Sequence, residues 1–181
     1  MGRIRIIGGK YRSRIITFND NNEAIRPTPD RVRETLFNWL GQDLTNKRCL
    51  DLFAGSGALS FEALSRNAKQ VVAIEHNNKV YSDLLSNKQM LKIENLLLQQ
   101  LEAIYFLNQC QEKFDVIFLD PPFASNLLQQ CLEIITNNNL LTLNGIIYIE
   151  SQKLIDFPKY EIIKKAKAGM VNYALLKLKV E

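Results

Sequence analysis

The sequence is poor in the residues that build metal centres and cross-links. It has a single histidine, His76, which excludes a multi-histidine metal site. Its three cysteines, Cys49, Cys110 and Cys131, stand far apart and form no C-x-x-C pair. An odd, scattered set argues against a disulfide framework and a zinc cluster, and leaves reduced, partly buried hydrophobes. No apolar run approaches the ~18–20 residues that cross a membrane. The opening MGRIRIIGGKYR is charged too often for the apolar core of a signal peptide. The expectation is a cytoplasmic protein. There is no internal repeat and no low-complexity linker. The 181 residues suit one domain with a substantial core, and 46% hydrophobic with 23% charged residues is an ordinary globular balance.

Acidic residues are scarce at the front. Residues 1–33 hold eight Lys/Arg (Arg3, Arg5, Lys10, Arg12, Arg14, Arg26, Arg31, Arg33) against three acids, whereas the rest of the chain is close to neutral. A front-loaded basic segment suggests contact with a polyanion, most often a nucleic acid. A solvated basic hairpin would have the same charge.

Residues 3–7 and 11–18 read as two strands around Gly8-Gly9, a hairpin turn. Alternation puts Arg3 and Arg5 on one side of the first strand and Arg12 and Arg14 on one side of the second, a surface suited to phosphates. Residues 19–27 are polar and turn-rich, a loop. In TPDRVRETLFNWLG, Thr28 is a good N-cap, Pro29 fits the first helical position and Gly41 can end the helix. Val32, Leu36, Phe37 and Leu40 share one helical stripe, most simply core, and Arg31 and Arg33 flank it. The reading divides the chain into a basic hairpin and loop at 1–27 and a larger unit at 28–181.

From Lys47 onward strands and helices alternate: RCLDLF, a helix from Ala58, QVVAIE, a helix over 77–92, LLLQQ, a helix near 103–111, FDVIFL, a helix near 125–138, and GIIYIES. YEIIKKAKAG and MVNYALLKLKV close the chain as an antiparallel pair. Alternation with nearly continuous apolar strands predicts an α/β fold, a mostly parallel sheet covered on both faces.

DLFAGSGALS, residues 51–60, runs from a strand through a glycine loop into a helix. Phe53, Ala54, Gly55, Ser56 and Gly57 allow a tight turn that brings backbone N–H groups to a ligand. The place of the third small residue in a dinucleotide pattern is taken by Ser60, which fits NAD poorly. Asp51 would repel a pyrophosphate. It suits instead a ligand with an ammonium group, such as the methionine end of S-adenosylmethionine. Glu75, at the tip of the next strand, is placed to accept the ribose hydroxyls of an adenosine cofactor. His76 is given at most a contact at the cofactor's edge. Glu102 and Ala103, after the third strand, could meet the adenine amino group. Each has a plainer alternative, as a turn glycine or a surface acid.

FDVIFLDPPF ends a buried strand in Asp120-Pro121-Pro122-Phe123. Two prolines discard two N–H donors and fix two φ angles. Carbonyls and a carboxylate are then the groups on offer. That suits methyl transfer to an exocyclic amino group, whose lone pair is delocalised into its ring. Asp120 and the Pro121 carbonyl can hold its two hydrogens, and Phe123 can stack on the base. Catalysis would be positioning and electrostatics. A strand-ending turn is the plain alternative.

In their order, DLFAGSGALS, AIE and DPPF resemble a class I S-adenosylmethionine-dependent methyltransferase of the amino-methylating kind. RIIGGKYRSRII, RPTPDRVRETLFNWL and LDLFAGSGALSFEALSR bring the resemblance closer, to the bacterial 16S rRNA guanine-N2 methyltransferase family (RsmD-like). It is strong over residues 3–66 and resumes at FLDPPF and IIYIES. It implies a Rossmann-like, seven-stranded, mostly parallel sheet with helices on both faces, preceded by a small N-terminal β-hairpin. It implies methylation of one flipped-out guanine of 16S rRNA, guanine-966 in the family's numbering. The cofactor residues carry over onto Asp51, Gly55, Gly57 and Glu75, and the catalytic motif onto Asp120 to Phe123. Glu102 stands where the resemblance leads one to expect Asn or Asp. Arg26, in the RPT stretch, is a candidate on the substrate side. The expected partner is 16S rRNA within a 30S subunit or an assembly intermediate, with no membrane and no metal, the chain acting as a monomer. Other readings remain: adenine-N6 methylation in DNA, a small-molecule methyltransferase, or a non-catalytic RNA-binding module.

Overall fold

The computed structural model describes residues 1–21, 25–123, 125–154 and 156–179. Residues 22–24 of the expected 19–27 loop and Val180, the last residue of the expected closing strand, lie outside these. After β1 (Gly2–Arg5), β2 (Ile15–Phe18) and α1 (Asp30–Trp39), the chain alternates β3 (Arg48–Asp51), α2 (Ala58–Ser65), β4 (Gln70–Ile74), α3 (Asn78–Met90), β5 (Leu96–Gln99), α4 (Ala103–Gln109), β6 (Phe114–Leu119), α5 (Leu127–Asn137) and β7 (Leu141–Ser151). It closes with β8 (Tyr160–Ala168) and β9 (Val171–Leu178).

The main sheet has seven strands in the order β5-β4-β3-β6-β7-β9-β8. β5, β4, β3, β6 and β7 are parallel, and β9 runs antiparallel to both β7 and β8. The apolar strands are buried on both faces, as their unbroken hydrophobic runs require. On one face Leu36, Phe37 and Phe61 pack with Val71, Phe118 and Tyr148, under α1, α2 and α3. On the other, Phe106, Leu107, Cys131 and Ile135 of α4 and α5 cover Leu50, Ile117 and Ile147. The three cysteines are free, and burial pushes the Cys49 and Cys131 thiols up to about 12.

The N-terminal pair is shorter than the sequence suggests. Only Gly2–Arg5 and Ile15–Phe18 are strand, so Arg12 and Arg14 lie in the connection and not on a ribbon face. The connection departs from a tight turn because it lies along α2. Lys10 N–H donates to the Ser65 carbonyl at 2.8 Å and Tyr11 N–H to Ser65 Oγ at 2.9 Å. Gly9 has φ 75°, and a Cβ there would fall 1.8 Å from the Ser65 carbonyl oxygen. The glycine is needed for this close approach. On the other side, the Asn87 side chain of α3 bonds both the N–H and the C=O of Thr17, as a neighbouring strand would. Ile4, Ile6, Ile16 and Phe18 complete the core.

This docking explains α2, in which every residue is buried, including Ser60, Glu62 and Ser65. A helix enclosed all round needs partners for its polar groups. Glu62 accepts from Ile7 N–H (3.0 Å), Gly8 N–H (2.9 Å), Arg33 Nη1 (3.1 Å) and Arg66 Nε (3.1 Å). Arg33 is therefore no surface cation. It is 1% exposed, ion-paired to Glu62 and Asp30, and bonded to the Thr28 and Arg5 carbonyls. The expectation of Arg33 as an RNA contact is corrected on this ground. Thr28 is not the N-cap of α1 either. Pro29 holds that place, and the Thr28 hydroxyl donates to Glu150 at 2.8 Å. Gly41, at φ 88°, follows the helix end as expected.

Candidate active site

The parallel strands present their carboxyl ends on one rim, where ligands bind in open α/β sheets. Asp51 ends β3. It is buried, and Ser60 Oγ donates to its Oδ2 at 2.6 Å. Burial lifts its carboxyl to about 6, against the Ser60 hydrogen bond and with help from Glu75. The glycine loop follows, with Gly55 at φ 51° and Gly57 at φ 81°. A Cβ on Gly57 would meet Leu84 at 2.6 Å and the Phe61 ring at 2.7 Å, so only glycine lets α2 begin here. The loop is tied to the next strand, since Ala54 N–H donates to the Ile74 carbonyl at 3.0 Å. Ser56 is buried beneath it, and Phe53 is half-buried.

Glu75, just past β4, accepts Gly55 N–H at 3.1 Å and Asn77 N–H at 2.8 Å. Each oxygen keeps further acceptor capacity for a ligand hydroxyl. Beyond it His76, Leu101, Glu102 and Tyr105 frame a cleft of about 370 Å³, with Ala103 buried as the first residue of α4. A buried carboxylate, a glycine loop, a second carboxylate with spare acceptor capacity and a cleft of about 370 Å³ follow one another along the rim. These residues fit S-adenosylmethionine.

Asp120 follows β6 and is half-buried. Burial, then Glu150, then Asp51 push it well above the usual carboxylate range. Pro121 is buried, while Pro122 and Phe123 are exposed. Ser125 Oγ donates to the Pro122 carbonyl at 2.6 Å. Among the described residues nothing donates to the Pro121 carbonyl.

Glu150, near the end of β7, was not assigned from sequence. It is 6% exposed, and its Oε1 accepts from Thr28 Oγ1 at 2.8 Å and from the Tyr148 hydroxyl at 2.9 Å. Burial raises its carboxyl against those two bonds, and burial and Glu150 keep the Tyr148 hydroxyl protonated. A signal was present. RCLD, QVVAIE, FDVIFLD and GIIYIE each take an apolar strand into an acid, so one rim gathers Asp51, Glu75, Asp120 and Glu150.

Arg3, Arg5, Lys10, Arg12, Arg14, Arg26 and Arg31 are all exposed. A groove of about 520 Å³ runs between the β1–β2 pair and the start of α1, walled by Arg3, Arg5, Pro27, Thr28 and Pro29. Through Thr28 it reaches the group that holds Glu150.

A sheet of this order, with a glycine loop opening α2 and an Asp-Pro-Pro-Phe tip on the adjacent strand, β6, defines a Rossmann-like methyltransferase. The chain belongs to the family described as conserved hypothetical protein 95, the RsmD family, whose model matches residues 4–177. It is 44% identical to the Ribosomal RNA small subunit methyltransferase D of Haemophilus influenzae over 184 residues, covering 96% of this chain and 93% of that one. It is 40% identical to the protein of the same name from Escherichia coli K12, covering 96% and 89%. The solved structure of yhhF from Escherichia coli has a TM-score of 0.90 at 38% identity, covering 99% of this chain and 100% of that one.

Proposed function

We propose that this protein methylates the exocyclic N2 of one guanine of 16S rRNA, guanine-966 in the family's numbering, with S-adenosylmethionine as donor. Asp51 and the glycine loop would hold the methionine end, Glu75 the ribose, and Leu101, Glu102 and Ala103 the adenine side. The cofactor supplies a methyl group on a cationic sulfonium, and a cation here favours the ionised forms of Asp51 and Asp120. Asp120 accepts one hydrogen of the amino group and the Pro121 carbonyl accepts the other. Together they hold the nitrogen pyramidal, with its lone pair toward the methyl carbon. As the new N–C bond forms and the S–C bond breaks to leave a thioether, the nitrogen becomes acidic, so one proton would pass to the Asp120 carboxylate and on to water without a strong base. Phe123, 44% exposed, is free to stack on the base. The exposed arginines and the groove beside Thr28 offer a path for the RNA backbone, within a 30S particle or its precursor in the cytoplasm.

The observation that carries this reading is Asp120-Pro121 at the tip of β6, in electrostatic range of Asp51 at the tip of the adjacent β3. The test is methylation with labelled cofactor, offering 30S particles, free 16S rRNA and DNA, then mapping the modified nucleotide. The expected result is label on a guanine N2 of the small-subunit RNA. Asp120→Ala should lower kcat by about 10²–10³-fold while calorimetry still detects cofactor binding. Label on adenine N6 of DNA, or full activity in Asp120→Ala, would overturn the proposal.

A further inference from the structure

Asp-Pro-Pro-Phe serves any amino group on a base, so it does not by itself select guanine over adenine. The selecting group must meet the neighbouring ring position. Guanine carries a donor there, N1–H, beside its N2 amino group. Adenine carries an acceptor, N1, beside its N6 amino group. An ionised carboxyl accepts only, and so it distinguishes the two.

Such a carboxyl stands one strand over. β6 and β7 pair in parallel with Phe118 opposite Tyr148 and Leu119 opposite Ile149. One further step along that register sets Asp120 beside Glu150. Side chains alternate along strands, so both project to the same face as Phe118 and Tyr148, whose rings meet at 6.3 Å. Asp51, opposite Phe118 on β3, shares that face. Thr28 and Tyr148 both donate to Oε1 of Glu150, which fixes the carboxyl. Among the described residues nothing donates to Oε2, yet no enclosed side-chain oxygen lacks a partner. Oε2 is therefore not enclosed, at a strand tip whose register neighbour is Asp120.

We infer that Glu150 is the specificity residue of this site, accepting the N1–H of the target guanine while Asp120 accepts an N2 hydrogen. The inference rests on the guanine-N2 reading above. The probe is small-subunit RNA ligated to carry either guanine or 2-aminopurine at the mapped position and assembled into particles. 2-Aminopurine keeps the N2 amino group, replaces N1–H by a bare acceptor and lacks O6, so the comparison with Glu150→Gln isolates the N1 contact. Wild-type kcat/KM should favour guanine by roughly 10–100-fold, the discrimination of one good base-edge contact. Glu150→Gln, whose amide also donates, should bring the two substrates to within a few-fold of one another. A preference unchanged in folded Glu150→Gln overturns the inference. So do equal wild-type rates on the two bases, a measurement that needs no variant. Either result leaves guanine-N2 methylation standing, whereas label on adenine N6 in the mapping experiment removes the reading beneath it.

Discussion

Glu62 offers the sharpest test of how this molecule is assembled. Its carboxylate is fully buried on α2 and takes four hydrogen bonds: two from the backbone of the β1–β2 connection and two from arginines that are 1% and 6% exposed. Glu62→Ala strips Arg33 and Arg66 of their shared counter-charge. Arg33 retains Asp30 and two carbonyls, but Asp30 lies in solvent. Removing one member of a buried charge pair costs about 3–5 kcal/mol, mostly because the partner stays buried. The loss of acceptors for Ile7 and Gly8 adds to this. At about 2–4 °C per kcal/mol for a chain of this size, the melting temperature should fall by roughly 6–20 °C. Scanning calorimetry reads the change directly. The triple variant Arg33→Met, Glu62→Leu, Arg66→Met should recover much of it, since it leaves no charge unpaired. A fall of under about 2 °C in Glu62→Ala would refute the view that this ion cluster anchors the N-terminal pair.

Asp51→Asn should stabilise the apoprotein in a pH-dependent way. The folded carboxyl titrates at about 6, above its unfolded value, so the native state pays nothing near pH 4 and loses stability as pH rises to 6. The variant should gain about 2–3 kcal/mol in urea unfolding near pH 8 and little near pH 4, while losing cofactor affinity. An equal gain at both would contradict it. Neutralising Arg3, Arg5, Arg12 and Arg14 together should flatten the slope of log affinity for RNA against log salt by about 3. An unchanged slope would remove that surface from the interface. Gly9→Ala should cost about 3 kcal/mol or more, because its Cβ meets the Ser65 backbone. Gly41→Ala, at φ 88° in open space, should cost only about 1–2. Equal costs would mean that backbone conformation, and not the contact with α2, governs Gly9.

The alternating elements were legible because each strand is an unbroken apolar run and each helix opens after a loop with a marked stop. The places of the glycine loop, Glu75 and Asp120-Pro121 were legible for a related reason: they lie at strand tips, and strand tips can be found from local pattern. What local pattern could not show were contacts across long separations. Arg33 looks like its neighbour Arg31, and only the arrival of Glu62 from α2 takes it into the interior. Thr28 has every mark of an N-cap, yet a carboxyl 122 positions away claims its hydroxyl. Gly8-Gly9 resembles a turn pair because sequence does not reveal a second surface against which the turn must lie. Glu150 repeats the strand-then-acid pattern of the other three tips, and that repetition was the readable clue.

The anchoring of β1 and β2 also has a consequence in time. Apart from Arg33, which bonds the Arg5 carbonyl, the side chains that hold the backbone of this pair and its flanks, Glu62, Ser65, Asp83 and Asn87, lie 54 to 70 positions further along the chain. During synthesis the first eighteen residues must therefore wait, as an isolated two-stranded ribbon that is marginal in water, until α2 and α3 have emerged. The basic segment is made first and finished late. The arginine-bearing surface comes into being only once the glycine loop and the helix behind it exist, so a nascent chain acquires its basic face no earlier than the frame of its strand-tip rim.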